Sequence, residues 1–258
     1  MKLTPIKINL QDYPLPIRKY LQDANIYDSS SSKQASVLFS DKGYFIKSSA
    51  KGALRREAEM TRYFHSKRIA PKVLEYIDGD KDWLVTQKIK GSDCIDGKYL
   101  SDPKRLCDTM AQLLRELHGR DFADCPIKDH TSNFLYTAEK NYLAGICDRD
   151  MLDDIGYKDP NDVWQEITVQ SDILQNDTLL HGDYCLPNII LDNWKFSGFI
   201  DLDCSGVGDK HVDIFWGIYT LYYNLHTDKY TQRFIDAYGK DLIDSEKLRL
   251  ISKIEIFG

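Results

Sequence analysis

The chain has 258 residues, of which 29% are charged and 42% hydrophobic, and carries a formal net charge of −6. That length can bury a full core in one large or two small domains, and the composition is that of an ordinary soluble globular protein. The negative balance argues against a nucleic-acid surface and favours neutral or cationic partners, and no apolar run is long enough to span a bilayer. The opening Met-Lys-Leu-Thr-Pro lacks the apolar core of a signal peptide. Cysteines at 94, 107, 125, 147, 185 and 204 form no Cys-x-x-Cys pair. They are expected to be reduced thiols of a cytoplasmic protein, with Cys185 and Cys204 as packing residues.

Taken in chain order, a serine run at Ser29-Ser30-Ser31-Ser32 interrupts a region that alternates strand and turn from Ile26 to about residue 47. Ala35–Phe39 and Tyr44–Lys47 read as a hairpin around Ser40-Asp41-Lys42-Gly43. Residues 53–66 have helical character, and Val73–Ile77 and Trp83–Gln87 read as two further strands around Asp78-Gly79-Asp80. Residues 1–90 are therefore expected to form a small, mostly antiparallel sheet with one helix. A hinge at Lys88–Gly91 follows, and then a larger, mainly helical lobe over 91–258. Its clearest helix is Pro103–His118, with Leu106, Met110, Leu113, Leu114 and Leu117 on one face. One hairpin is expected within that lobe, pairing Ile189–Leu191 with Gly198–Ile200 across Asp192-Asn193-Trp194-Lys195. The fold class is α+β, with two lobes.

The hairpin lies inside the most informative stretch. His-Gly-Asp-Tyr-Cys-Leu-Pro-Asn runs from His181 to Asn188, and Phe-Ile-Asp-Leu-Asp closes the segment at Asp203. Asp183 stands five residues before Asn188, and Asp201 follows thirteen further on. Phosphoryl transfer needs one carboxylate to take a hydroxyl proton, and an amide oxygen and second carboxylate to hold magnesium on the phosphates. Each residue alone reads as a cap, a turn or a strand end. The set, in this order, points to a kinase-type site. The hairpin would bring Asn188 and Asp201 to one end, offering the oxygen donors that Mg²⁺ prefers.

In the first lobe, Lys47 taken alone is an exposed strand-end lysine. A kinase lobe, however, requires a phosphate-binding lysine paired to a glutamate on the next helix. Glu57 lies ten residues on in the helical segment, with Glu59 as its competitor on another side. Phe45 shares a strand face with Lys47 and could offer its ring to adenine; core packing is the alternative. There is no Gly-x-Gly-x-x-Gly, and Ser31 and Ser32 are the nearest substitute for a phosphate-covering loop.

These residues resemble the aminoglycoside phosphotransferases, particularly the 3′-phosphotransferases that act on kanamycin- and neomycin-type antibiotics. Leu113–His118 with Asp124-Cys125-Pro126 is similar to that family's helix and exit, and His181–Asn188 to its catalytic loop. Ser197–Leu202 resembles the metal-binding strand, Gly206–Ile214 the segment after it, and Glu255-Ile256-Phe257 the acidic, aromatic tail that folds into the antibiotic pocket. The resemblance implies a protein-kinase-like fold, ATP and Mg²⁺ as cofactors, and antibiotic resistance as the outcome. It implies Asp183 as base, Asn188 and Asp201 on magnesium, and Lys47 on the α- and β-phosphates, positioned by Glu57. It further implies Phe45 against adenine, the Gln87 and Ile89 backbone bonding the base, and Asp153, Asp154, Glu255 and Phe257 at the acceptor. His181 and Asp213 would brace the catalytic loop.

Asp203-Cys204 departs from the Gly-Arg of relatives, Gly258 extends past their terminal aromatic, and the acceptor-contacting loop differs in detail. In this chain that loop places Asp148, Asp150, Asp153 and Asp154 within seven residues, relieved by Arg149. Carboxylates suit a polycationic acceptor through charge-assisted hydrogen bonds. The expected partner is thus a small cationic molecule, with no nucleic acid and no membrane, acted on by a monomer. Alternatives are a same-fold kinase of a macrolide, choline or a sugar, and a nucleotide-binding pseudoenzyme.

Overall fold

The computed structural model describes residues 3–31 and 35–258. The chain begins with strand β1 (Thr4–Ile6), helix α1 (Leu15–Leu21) and strands β2 (Ile26–Asp28), β3 (Ser36–Ser40) and β4 (Tyr44–Ala50). Helix α2 (Arg55–Ser66) leads to β5 (Val73–Asp78), β6 (Lys81–Gln87), β7 (Ser92–Asp93) and α3 (Gly97–Leu100). Helices α4 (Pro103–His118), α5 (His130–Leu143), α6 (Arg149–Asp154) and α7 (Pro160–Gln170) precede β8 (Thr178–Leu180). Strands β9 (Ile189–Asp192), β10 (Lys195–Phe199) and β11 (Gly206–Gly208) are followed by α8 (His211–Leu225), α9 (Thr231–Tyr238) and α10 (Ser245–Ile254). A final 3-10 turn covers Glu255–Phe257. No helix among the described residues is long and apolar enough to cross a membrane.

Two compact units emerge. One comprises Met1–Tyr99 and Pro187–Asp203, the other Leu100–Leu186 and Cys204–Gly258. The division does not follow a single cut at residue 90, because β9 and β10 pair with β7 through the order β10-β9-β7. Gly91 makes that pairing possible. At φ +113° its added Cβ would lie 2.2 Å from the Leu191 carbonyl oxygen, so only glycine lets the hinge segment pass β9.

In the first unit, six antiparallel strands run in the order β1-β2-β3-β4-β6-β5. Strand alternation divides the sheet into two apolar faces. Ile17, Tyr20 and Leu21 of α1 cluster with Leu38, Ile46 and Val85, whereas Ala58 of α2 clusters with Leu54 and Leu84. The sequence pointed to one helix here; α1 is a second. Its seven residues, with a proline in the first turn, show too little periodicity to stand out, and burial of three apolar side chains is what secures it. The short strands β1, β7, β8 and β11 also escaped a pattern-based reading. The β9–β10 turn puts both Asn193 (φ 49°) and Trp194 (φ 70°) in the left-handed region, as a two-residue hairpin demands. Trp194 meets Tyr99 edge-on at 5.0 Å, which offsets that strain.

The second unit is helical. α4 packs on α8 and α9, and α10 on α7 and α8. Val163, Ile167, Val212, Leu250, Ile251, Ile254, Ile256 and Phe257 form an apolar cluster together with Leu180 of the β8–β11 ribbon.

Candidate active site

The polar centre of the first unit follows from strand register. Lys47 pairs across β4–β6 with Leu84, whose face packs against α2. Its ammonium therefore points at that helix, and Nζ lies 2.7 Å from Oε2 of Glu57. The same Nζ donates to Oδ1 of Asp201 at 2.8 Å. Glu57 is buried, while Glu59 on the neighbouring side of the helix is exposed. Burial alone would lower the lysine, but the Glu57 and Asp201 carboxylates outweigh it and hold Lys47 well above its ordinary value. Burial also pushes Glu57 up to about 7, with Lys47 opposing and the charges of Asp201 and Asp203 adding.

Asp201 follows β10 at φ 59°, a conformation that non-glycine residues rarely adopt. Such strain persists where surrounding structure fixes it, and it concentrates at functional sites. Here the Ile200 N–H donates to the Asn188 carbonyl at 3.0 Å, and the Phe199 N–H to that of Ile69 at 2.8 Å. These bonds place Asn188 and Asp201 at the same end of the hairpin. Gly198 allows the close fit, since a Cβ there would come within 2.9 Å of Ile89 Cδ1. Two members of this cluster escaped the sequence reading. Arg56 and Asp203 interact by charge, and partial burial together with Asp201 raises Asp203 against the pull of Arg56 and Lys47. The Asp203-Cys204 departure was the available signal.

Phe45 is half-buried, with its ring 4.9 Å from that of Phe39, so packing is part of its role. The Gln87 N–H is already committed to the Lys72 carbonyl at 2.9 Å. Ser31 is exposed, and Ser32 lies outside the described residues. Part of the serine run is spent on its own turn. The Ser30 hydroxyl donates to Asp28 at 2.6 Å and accepts the Val37 N–H at 2.9 Å.

In the second unit, the segment His181–Asp183 is tied down from α8. Asp213 is fully buried and accepts the N–H of His181 at 2.8 Å and of Gly182 at 2.7 Å. His118 Nε2 lies 3.1 Å from Asp213, and its Nδ1 2.8 Å from the Tyr238 hydroxyl. Burial would raise Asp213, but the His118 bond and charge and the backbone donors reverse this and lower it. Asp183 is half-buried, and its N–H donates to His181 Nδ1 at 3.3 Å. Farther along the segment, the Tyr184 hydroxyl donates to the Met110 carbonyl at 2.8 Å, and the Leu186 N–H to Thr220 Oγ1 at 3.1 Å. Tyr238 gave no sequence signal, being 120 residues from the histidine it meets.

The acceptor candidates fare unevenly. The acidic segment is helical, and Asp148 is its N-cap, accepting the N–H groups of Asp150 and Met151. Asp153 pairs with Lys158 at 2.7 Å in an exposed position, and Asp154 is exposed. Glu255 is only 8% exposed and accepts the Trp216 indole N–H at 2.8 Å. Phe257 requires a correction. Its ring is 1% exposed and meets the stacked pair Tyr142 and Trp164 edge-on, at 5.6 Å and 5.7 Å, so it packs the core. The expectation of two packing cysteines also fails for Cys204, which is exposed, whereas all six cysteines are free as expected.

Residues 32–251 match the model of the phosphotransferase enzyme family. A probable aminoglycoside 3′-phosphotransferase of Lactococcus lactis subsp. lactis is 48% identical over 259 residues, 99% of each chain. The aminoglycoside 3′-phosphotransferase of Niallia circulans is 30% identical, covering 79% of this chain and 78% of its own. In fold, the aminoglycoside phosphotransferase APH(3'')-Id of Streptomyces rimosus aligns with a TM-score of 0.79 over 97% of this chain and 99% of its own, at 20% identity. That enzyme is also known in complex with ADP and streptomycin. With a six-stranded antiparallel sheet at its N-terminus and a helical remainder, the chain has the protein-kinase-like fold and belongs to the aminoglycoside 3′-phosphotransferase family.

Proposed function

We propose that this kinase-type enzyme transfers the γ-phosphoryl group of ATP to the 3′-hydroxyl of a kanamycin- or neomycin-type aminoglycoside, and so confers resistance. The observation that carries the reading is the Lys47 ammonium held at 2.7 Å from Glu57 and 2.8 Å from Asp201, on a chain 48% identical to a probable aminoglycoside 3′-phosphotransferase. A lysine fixed in this way grips phosphate oxygens without loss of side-chain entropy at the moment of binding. Glu57 orients it, Phe45 takes the adenine face, and the Gln87 carbonyl and Ile89 backbone bond the base. Ser31, exposed in the serine run, is assigned to the phosphates.

Magnesium fits the donor set. Asn188 and Asp201 supply the amide and carboxylate oxygens the ion prefers, leaving positions for phosphate and water. The same cluster sets three carboxylates, Glu57, Asp201 and Asp203, against Lys47 and Arg56, an acidic excess that a bound cation relieves. When bound, the ion supplies positive charge to the phosphate oxygens. Asp183 orients the acceptor hydroxyl and takes its proton as the new O–P bond forms. Its loop is held by Asp213, so the carboxylate is positioned before the acceptor arrives. Asp153, Asp154 and Glu255 receive acceptor ammonium groups. The enzyme works as a monomer in the cytoplasm, where ATP is available.

A coupled ADP-release assay tests this reading. ADP should form with aminoglycosides bearing a 3′-hydroxyl and not with a 3′-deoxy analogue, choline or a macrolide. Equal turnover of the 3′-deoxy compound would remove the 3′ assignment. Turnover confined to choline or a macrolide would replace the acceptor class.

A further inference from the structure

Helix α8 carries more aromatic surface than its core contacts use. Phe215, Tyr219 and Tyr223 repeat every fourth residue and therefore share one face. Their rings form a near-parallel ladder, with centroids 5.9 Å apart at 15° between Phe215 and Tyr219, and 6.3 Å apart at 20° between Tyr219 and Tyr223. Trp216 meets Tyr219 edge-on at 5.6 Å. Phe215 and Trp216 pack on the apolar core, but Tyr219 lies outside that cluster and Tyr223 is 63% exposed. Large rings left in water along one face mark a surface with a use.

Carboxylates flank the ladder. The Trp216 indole is bonded to Glu255. The Asp148 N–H donates to the Ile256 carbonyl at 2.7 Å, which pins the start of α6 to the same C-terminal turn. After burial, the charges of Asp148 and Asp154 are the largest influences that raise the Tyr219 hydroxyl, consistent with α6 facing this ring. The face thus pairs flat π surfaces with negative charge. An aminosugar ring matches both halves. Its C–H face and ammonium groups are drawn to a ring's negative face, and the ammonium groups pair with the carboxylates.

We propose that Tyr219 and Tyr223, continuing the Phe215 ladder, form a stacking floor that holds an aminosugar ring of the acceptor, with Asp148 and Asp154 along its edge. The inference rests on the aminoglycoside reading above and adds to it a residue set that selects acceptors by ring surface as well as by charge.

The experiment measures kanamycin KM and ATP KM for the unmodified enzyme, Tyr223→Ala, Tyr219→Ala/Tyr223→Ala and Tyr219→Phe/Tyr223→Phe, with Tyr136→Ala on α5 as an exposed control. Tyr223→Ala should raise kanamycin KM about two- to five-fold, the range of a cation–π contact at an exposed site. The double alanine variant should raise it further, and ATP KM should not move. The double phenylalanine variant keeps the rings and should stay within two-fold of the unmodified enzyme, roughly the lower edge of that range. Saturating tyrosine ring protons should transfer magnetisation to kanamycin ring protons, and the double alanine variant should lose that transfer.

Unchanged kanamycin KM in the alanine variants would overturn the floor while leaving the acceptor class intact. A change of oligomeric state in place of KM would assign the face to a second copy of the chain and likewise overturn it. Absence of any aminoglycoside turnover by the unmodified enzyme would instead sink the proposed function.

Discussion

Glu255→Gln should stabilise the protein at neutral and alkaline pH and flatten its pH dependence. Burial pushes the Glu255 carboxyl up to about 8 from its ordinary 4.5, with the Trp216 bond opposing and the charges of Asp183 and Asp213 adding. Because the folded value is raised, the group's contribution to stability is fully present below about pH 4.5. It is lost progressively as pH rises through about 8, since ionisation favours the unfolded chain. A difference of roughly 3.5 units corresponds to about 5 kcal/mol at full effect, taking about 1.4 kcal/mol per unit. The carboxyl is nearly inaccessible, so solvent screening removes little of it. Glutamine keeps an oxygen for the Trp216 N–H and cannot ionise. Urea unfolding at pH 5, 6, 7 and 8 should therefore show the unmodified protein losing about 3–4 kcal/mol more than the variant across that range. Parallel pH profiles would refute the reasoning. If an acceptor ammonium engages Glu255, the carboxyl should also release a proton on binding, detectable by calorimetry in buffers of different ionisation enthalpy.

Gly182→Ala should cost about 1–2 kcal/mol for its left-handed backbone, φ +85°. A further ~1–3 kcal/mol should follow from a Cβ placed 2.0 Å from the Cys204 carbonyl oxygen. Denaturant midpoints check this, and a midpoint within error of the unmodified protein would contradict the packing described. Lys47→Ala should weaken ATP roughly ten- to a hundred-fold, the worth of a charged hydrogen bond, and adenosine far less. Equal weakening in titrations of both ligands would make the lysine structural only. Phe257→Ala should destabilise by about 3–5 kcal/mol, with acceptor KM unchanged once the folded fraction is accounted for. A raised KM without loss of stability would return Phe257 to the acceptor site.

Much of this molecule is legible from its sequence, for reasons that differ by region. The Pro103–His118 helix shows four turns of unbroken apolar periodicity, and the β9–β10 hairpin is marked by turn chemistry between two short apolar runs, although its register shifts between Phe196 and Gly198. The Lys47–Glu57 contact was accessible because a kinase-type lobe requires a strand lysine paired to a glutamate on the next helix, and Glu57 lies ten residues on. What escaped depends on long-range context. α1 has two turns and takes its stability from the sheet it covers. Tyr238 reaches His118 only through the packing of α9 on α4. The acidic stretch at 148–154 read as a loop because an N-capping aspartate and a run of charges resemble one; Asp148 in fact starts a helix. Phe257 read as a ligand contact because the tail Glu255-Ile256-Phe257 resembles the family's acidic, aromatic C-terminus, whereas its burial is set by Tyr142 and Trp164, more than ninety residues away.

The central claim is tested most directly by following the phosphoryl group itself. Incubating the enzyme with γ-³²P-labelled ATP, Mg²⁺ and kanamycin should move the label onto the antibiotic. Asp183→Asn should slow that transfer by about 10²–10⁴-fold, the span of general-base catalysis, with ATP affinity nearly unchanged. Label appearing only as inorganic phosphate, or transfer at an undiminished rate in Asp183→Asn, would contradict the account.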